Sequence, residues 1–125
     1  MATTEYGTID EVMATLYDCI SGPPGGQDWE RDREIYHPRA LITRTRSFHE
    51  IEIGRKTDRF GQIAHVYSTY EARETPDHPD IQFRGVNMVH LWNDGIDCSG
   101  RWWIMSIIWD NEREGLALPA EWLGL

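Results

Sequence analysis

The spacing of apolar residues changes along this chain from a helical period to a strand period, and this change constrains the fold more than any other feature. Between Thr8 and Ser21 the apolar positions form one stripe on a helix, which must be buried against another layer. Thr8 and Glu11 have the form of a capping box, which predicts that the helix begins just after Thr8. The stripe consists of Ile9, Val12, Met13, Leu16, Tyr17 and Ile20.

A second, shorter helix is predicted at roughly residues 29–36, with Asp28 as its cap and Pro38 as the residue that stops it. Beyond Pro38 the residues are β-branched and aromatic, and turn residues such as Gly61 separate the runs. Five strands are predicted in this part of the chain, at residues 41–43, 48–59, 62–73, 83–92 and 101–109.

Two helices followed by consecutive strands favour the α+β class, because a parallel sheet needs helices that alternate with its strands. We therefore predict one domain over residues 1–125. Its sheet is expected to be antiparallel, with the helices packed on one of its faces.

The net charge of −9 limits the classes of molecule that this protein is expected to bind. A strongly negative chain repels phosphate backbones and anionic lipid, so nucleic acid and membranes are not expected partners. The two cysteines, Cys19 and Cys98, suit neither a disulfide framework nor a zinc site, and the five histidines show no metal-ligand spacing. Together with an N-terminus that does not resemble a signal peptide, these features favour a cytoplasmic protein without a metal.

Four segments carry a resemblance to a known family: residues 16–42, 61–73, 84–92 and 100–112. They include an Asp-Trp pair before the second predicted helix and a final strand, RWWIMSIIW, that is rich in tryptophan. In this order they resemble the nuclear transport factor 2-like superfamily, which includes SnoaL-like polyketide cyclases and ketosteroid isomerases. The resemblance covers nearly the whole chain.

The resemblance implies a cone, in which a strongly curved antiparallel sheet wraps around the helices and leaves a pocket at its open end. It also implies a homodimer through the outer face of the sheet. Some members of the superfamily are cofactor-independent acid–base enzymes, and others are binding or association domains. Fold analogy therefore does not choose between an enzyme and a binding module.

The sequence departs from the family pattern after the first predicted strand. Family members usually have a third helix there, but RTRSFHEIEIGRK (residues 44–56) has no helical stripe, so we predict that this helix is absent. Arg44 falls where the ketosteroid isomerases have an aspartate base, and an arginine does not act as a base at ordinary pH. Tyr17 matches the family's helix-borne tyrosine hydrogen-bond donor, although it also fits a core position on the helical stripe.

Strand alternation gives the sheet two faces, either of which could point inward. One face mixes large aromatic residues with histidine and arginine, and we predict that it lines a ligand pocket. The other is smaller and more apolar, as a packed layer would be, and includes Val66, Ser68, Asn87, Trp102 and Ile104. The predicted ligand-binding residues are Trp29 of the second helix and Tyr67, Arg84, Met88, Trp103, Met105 and Trp109 of the sheet.

The predicted catalytic candidates are His65 and His90 as proton carriers, Asp110 as a group that orients a histidine, and Tyr17 as a hydrogen-bond donor. A structural ion pair is the alternative role for Asp110. Two functions stay open on this evidence. One is a cofactor-independent isomerase, cyclase, dehydratase or hydrolase acting on a small apolar molecule. The other is a non-catalytic ligand-binding or dimerisation module.

Overall fold

A computed structural model describes residues 5–21, 29–41 and 49–124 of the chain. It has two helices, α1 and α2, five strands, β1 to β5, and a short 3-10 turn near the C-terminus. Their bounds are α1 Ile9–Ile20, α2 Trp29–Ile35, β1 Tyr36–Leu41, β2 His49–Phe60, β3 Ile63–Arg73, β4 Phe83–Asn93, β5 Trp102–Asn111, and Ala120–Trp122 for the 3-10 turn. The α+β class is confirmed.

Helix α1 begins where the capping residues predict. The Thr8 Oγ1 accepts a hydrogen bond from the Glu11 backbone N–H at 3.1 Å, which satisfies one of the free donors of the first turn. The Glu11 carboxylate accepts from the Tyr6 backbone N–H at 3.0 Å, so it reaches beyond the cap residue. These two contacts fix the direction from which the chain enters the helix.

The first strand was predicted at residues 41–43, and the described strand begins five residues before that range. Strand β1 begins at Tyr36, directly after α2, and ends at Leu41, whereas residues 42 and 43 lie outside the described residues. The strand contains Pro38, which lacks a backbone donor. A proline is tolerated here because β1 lies at the edge of the sheet, where one side of a strand needs no ladder partner.

The five strands form one sheet in the order β1-β5-β4-β3-β2. The pairs β2·β3, β3·β4 and β4·β5 are antiparallel, as predicted. Strand β1 pairs with β5 in the parallel direction, so the sheet is mixed and the expectation of a purely antiparallel sheet is wrong. The parallel pair is possible because all the other strands lie between β1 and β5 in sequence and provide the long crossover.

The absence of a third helix was predicted over residues 44–56. From His49 onward this segment belongs to β2, so the described part of it is strand. The rest of the prediction falls on residues 42–48 and lies outside the described residues.

The core lies between the helices and one face of the sheet. Met13, Leu16 and Ile20 of α1 pack against Val66 and Ile104 of the sheet in a single apolar cluster. The smaller, more apolar face of the two is therefore the one that packs on the helices. The face that mixes aromatic and basic residues lies on the opposite side, so any pocket that it lines lies away from the helices.

A bulge in β5 changes which residues face the core. Leu91 pairs with Ile104 and His90 with Ser106, so Met105 is an extra residue in the ladder. Before the bulge Ile104 faces the core and is fully buried, and after it Ile107 is the buried residue. Ile108, which simple alternation places on the same face as Ile104, is instead 71% exposed.

The C-terminal segment folds back onto strand β2. Gly124 donates its backbone N–H to the Ile53 carbonyl at 2.9 Å and forms a parallel bridge with Gly54. The Trp122 ring stacks on Tyr67, with 5.1 Å between ring centroids. The segment therefore covers part of the outer face and part of the β2 edge. In the described part of the chain, neither helix has the length and apolar character that a membrane crossing requires.

Candidate functional site

A groove of about 880 Å³ lies on the outer side of the sheet, beside the turn that joins β2 to β3. All five strands contribute to it, so it runs across the sheet rather than along one strand. Its walls are mostly apolar. It is lined by His37, Arg39, Asp58, Arg59, Phe60, Ile63, Ala64, His65, His90, Leu91, Trp92 and Met105.

Two histidines on neighbouring strands lie side by side in this groove. His65 of β3 and His90 of β4 are directly opposite each other in the ladder. Their rings meet edge to face, with 4.4 Å between centroids, and the other side of His65 stacks on Tyr67 at 4.6 Å. The register of the β3·β4 hairpin thus brings together the two proton carriers that strand alternation predicted on one face.

The surroundings of His65 favour its neutral form. Partial burial lowers the pKa of the His65 imidazole below its ordinary value, and the neighbouring His90 lowers it further. Asp58, opposite His65 on β2, acts weakly in the other direction. The His65 Nε2 is buried and has no hydrogen-bond partner within the described ranges of the chain. At neutral pH this ring therefore offers an uncharged polar atom inside an apolar wall.

His90 is more exposed, and its orientation is set from β5. Its Nδ1 lies 3.2 Å from the Ser106 Oγ, with the donor determined by the histidine tautomer. If the serine hydroxyl donates, the Nε2 carries the ring proton, and the ring can then donate a hydrogen bond to a ligand.

Tyr17 lies on the other side of the sheet, in the core between α1 and the strands. Its hydroxyl accepts from the Asn87 Nδ2 at 3.0 Å and lies 2.8 Å from the Ser68 Oγ, which in turn donates to the Glu52 carboxylate. Because Ser68 donates to Glu52, Tyr17 donates to Ser68, and its one proton is used. Burial raises the pKa of the Tyr17 phenol. The structure thus does not bring Tyr17 to the histidines.

Asp110 is also separate from the histidine pair. It lies near the far end of β5, opposite Val86, and its carboxylate binds the Arg113 guanidinium at 2.8 Å. This contact lowers the pKa of Asp110. Asp110 is therefore found in the ion pair that was its alternative role.

The predicted ligand-binding residues are scattered relative to the groove. Met105 lines it. Tyr67 lies beneath Trp122, and Arg84 binds Glu112 at 2.9 Å. Trp103 contacts His37 and Arg101, with 3.6 Å from the arginine to the indole centroid.

The three remaining predicted ligand-binding residues also lie away from the groove walls or are not described. Met88 is half-buried on the outer face, two ladder positions from the histidines. Trp109 follows the bulge, pairs with the core residue Asn87 and is 37% exposed. The side chain of Trp29 lies outside the described residues.

Several groove residues were not predicted from the sequence. Phe60 and Ile63 form the last pair of the β2·β3 ladder, on either side of the tight turn at Gly61. That turn is the sequence signal from which both could have been placed at the end of the outer face. His37 and Arg39 belong to β1, whose parallel pairing with β5 no local pattern indicates. In the parts of the chain that the structure describes, no group of three or more His, Cys, Asp and Glu residues is arranged to hold a metal ion.

Comparison of the chain with protein-family models, with curated proteins and with solved structures finds no match.

Proposed function

We propose that this protein is a small-molecule-binding domain, and that the groove beside His65 and His90 takes an apolar ligand. The observation that carries the proposal is the groove itself: about 880 Å³, apolar walls, and two adjacent imidazoles among them. Ligand sites have volumes of about 300–1,000 Å³ and combine apolar lining with a few polar groups. The unpartnered Nε2 of His65 is such a polar group.

Binding without catalysis is the function that this geometry supports best. An acid–base enzyme needs its proton carriers and its hydrogen-bond donor around one substrate. Here Tyr17 is used inside the core and Asp110 is paired with Arg113, so the histidines lack both predicted helpers. The groove is also open along the sheet, and an open site excludes water poorly.

Thermal denaturation in the presence of ligands tests the binding proposal, because a ligand that binds the native state raises the melting temperature. The probes are apolar carbonyl compounds, alcohols and carboxylic acids. Met105→Gln places an amide in the groove wall and should abolish most of the shift. Met88→Gln is the matched control, since Met88 lies on the same face outside the groove lining. If no probe stabilises the protein, or if both variants behave alike, the proposal is wrong.

A second candidate function is homodimerisation through the outer face of the sheet. The exposed apolar residues Phe60 and Ile108 support it, with exposed fractions of 84% and 71%. Sedimentation of Ile108→Glu against Ile96→Glu tests it, because Ile96 is 93% exposed but lies in the turn between β4 and β5. A dimer that only Ile108→Glu dissociates supports this function, and a monomeric wild type contradicts it.

Membership of the nuclear transport factor 2-like superfamily is part of the proposal. It is supported by the order of elements, two helices followed by a five-stranded sheet. An experimental structure that includes residues 22–28 and 42–48 tests it. A sheet that curves around the helices supports membership, and a flat sheet contradicts it.

A further inference from the structure

A column of four aromatic rings runs along the outer face of the sheet, from the groove to the C-terminal segment (residues 119–124). His90 and His65 lie in the groove and contact each other. Tyr67 stacks on His65 with 4.6 Å between centroids, and Trp122 of the segment stacks on Tyr67 with 5.1 Å. Stacked rings stabilise each other beyond the apolar area that they bury. The position of Trp122 therefore affects His65 through the one ring between them.

The C-terminal segment does not fill the space between itself and the sheet. A cavity of about 180 Å³ remains there, and its lining includes Val86 of β4 and Pro119 and Trp122 of the segment. The 3-10 turn Ala120–Trp122 contains no buried residue. The docked segment thus leaves part of its own surface and part of the sheet beneath it without the close packing of a protein interior.

A buried hydroxyl beneath the segment opposes its docking. Thr69 pairs with Gly54 on β2 and with Val86 on β4, so the three residues share one face of the sheet. The segment covers both neighbours of Thr69, since the Trp122 carbonyl lies against Gly54 and Trp122 shares the cavity with Val86. Thr69 is fully buried, and its Oγ1 has no hydrogen-bond partner in the described ranges. Release of the segment returns water to this hydroxyl, which favours the released state.

The segment is joined to the sheet by an anchored loop. Glu112 accepts hydrogen bonds from the Arg84 guanidinium and from the Leu118 backbone N–H, both at 2.9 Å. The chain is therefore tied to β4 as far as Leu118. Beyond that point the backbone pairs with β2 at Gly124, which donates its N–H to the Ile53 carbonyl at 2.9 Å. The segment can thus detach as a unit while the loop before it keeps its position.

We propose that the C-terminal segment is a movable lid that controls the groove. In the docked state Trp122 fixes the Tyr67 ring, and Tyr67 holds the His65 ring in the groove wall. In the released state both rings are free to turn, and the groove extends along β3 over Tyr67 and Thr69. The inference rests on the proposed function and adds the control of that same groove. A ligand that lies on His65 favours the docked state, because it keeps the column in place.

Amide exchange at Gly124 measures release of the segment, because the hydrogen bond to β2 protects this N–H in the docked state. His65→Ala removes a ring from the groove end of the column. It should speed the exchange about two- to tenfold, the factor that one aromatic pair contributes to an equilibrium. Met105→Ala is the matched control, since Met105 lines the groove outside the column and should leave the exchange unchanged. Exchange at Val89 of the core reports global unfolding and separates it from release of the segment.

NMR titration of the His65 ring tests the column in the opposite direction. Trp122→Ala should shift the His65 ring signals and raise its pKa towards the ordinary value, because a released Tyr67 leaves the imidazole more exposed to water. Trp122→Phe keeps a ring on Tyr67 and should restore the wild-type titration. Leu123→Ala is the control, since Leu123 is an exposed residue of the same segment outside the column, and it should leave the titration unchanged.

The charged groups near the column stay in place in these variants. His90 on β4 and Asp58 on β2 act on the pKa of His65, and the Lys56 ammonium of β2 lies 5.4 Å from the ring centroid of the neighbouring tyrosine. Glu121 is the one ionisable side chain of the segment, and it is exposed. Release of the segment therefore changes the exposure of His65 to water rather than the charges beside it.

Gly54→Ala gives a second way to release the segment. A Cβ at this position collides with the Trp122 carbonyl oxygen, and the substitution changes no ring of the column. It should shift the His65 titration in the same direction as Trp122→Ala. This variant decides the question if Trp122→Ala does not fold.

Two results would overturn the inference. One is unchanged exchange at Gly124 in His65→Ala, and the other is a His65 titration that neither Trp122→Ala nor Gly54→Ala alters. Neither measurement needs a ligand. If no probe stabilises the protein in the thermal assay, the proposed function is wrong, while exchange and titration still decide whether the segment and the groove are coupled.

Discussion

His65 and His90 lie directly opposite each other on β3 and β4, and their rings meet edge to face with 4.4 Å between centroids. This contact is the centre of the candidate site, because it places two imidazoles in the apolar wall of one groove. Burial lowers the pKa of the His65 imidazole, and the neighbouring His90 lowers it further. His65 therefore acts as an uncharged polar group at neutral pH.

Acid should destabilise the fold through His65. Because the folded state holds the pKa of His65 below its unfolded value, the unfolded state binds the proton more readily. Stability should thus fall as pH drops below the ordinary histidine pKa of about 6.5 and continue to fall down to the lower folded value. Urea denaturation between neutral pH and about pH 5 measures the slope. His65→Gln should flatten it, and His78→Gln, in the loop between β3 and β4, should not.

The β5 bulge predicts opposite effects for two isoleucines four residues apart. Ile104→Ala should cost about 2–5 kcal/mol in the free energy of unfolding, because it empties a fully buried position. Ile108→Ala should change it by no more than about 0.5 kcal/mol, since that side chain is 71% exposed. Chemical denaturation of both variants measures the difference. Equal losses would mean that β5 alternates without a bulge.

Removing the Tyr17 hydroxyl should affect stability and leave ligand binding unchanged. Tyr17→Phe leaves the buried Asn87 amide without its acceptor and the Ser68 hydroxyl without its donor. The expected cost is about 1–3 kcal/mol. Tyr67→Phe, which removes a hydroxyl on the outer face, is the control and should cost about 0.5 kcal/mol or less. If the Tyr17→Phe variant has normal stability and no longer binds any ligand, this prediction is wrong and Tyr17 belongs to the binding site.

Gly54 should not tolerate a side chain. A Cβ at this position would collide with the Trp122 carbonyl oxygen, because the C-terminal segment runs directly over the Gly54 backbone. Gly54→Ala should cost about 1–3 kcal/mol and speed amide exchange at Gly124. Gly61→Asn is the control, since Gly61 has open space around it and asparagine accepts its positive φ. Unchanged exchange at Gly124 would show that the segment is held by other contacts.

The sequence predicted the elements that a local pattern determines. Helix α1 follows from its stripe and its Thr8 cap, and β3 and β4 follow from alternation. Register also follows from alternation, so the prediction that His65 and His90 share a face is confirmed. Alternation did not determine which face of the sheet packs on the helices, because Trp103 and Met105 are as large and apolar as the core residues Trp102 and Ile104.

The rest of the site depends on long-range pairing. The groove needs β1, which pairs with β5 in a direction that no local pattern encodes, and the bulge that places Met105 and Ser106 beside the histidines. Tyr17 was ambiguous from the start, since a helical stripe position suits a core tyrosine as well as a donor.

The single extra residue in β5 also has a consequence for reading mutational data. Along most of the sheet, positions that tolerate polar substitution should alternate with positions that do not. In β5 this alternation should shift by one residue after Met105. A saturation library would then show two phases within one strand. That phase slip would locate the irregularity from growth or expression scores alone, without any coordinates.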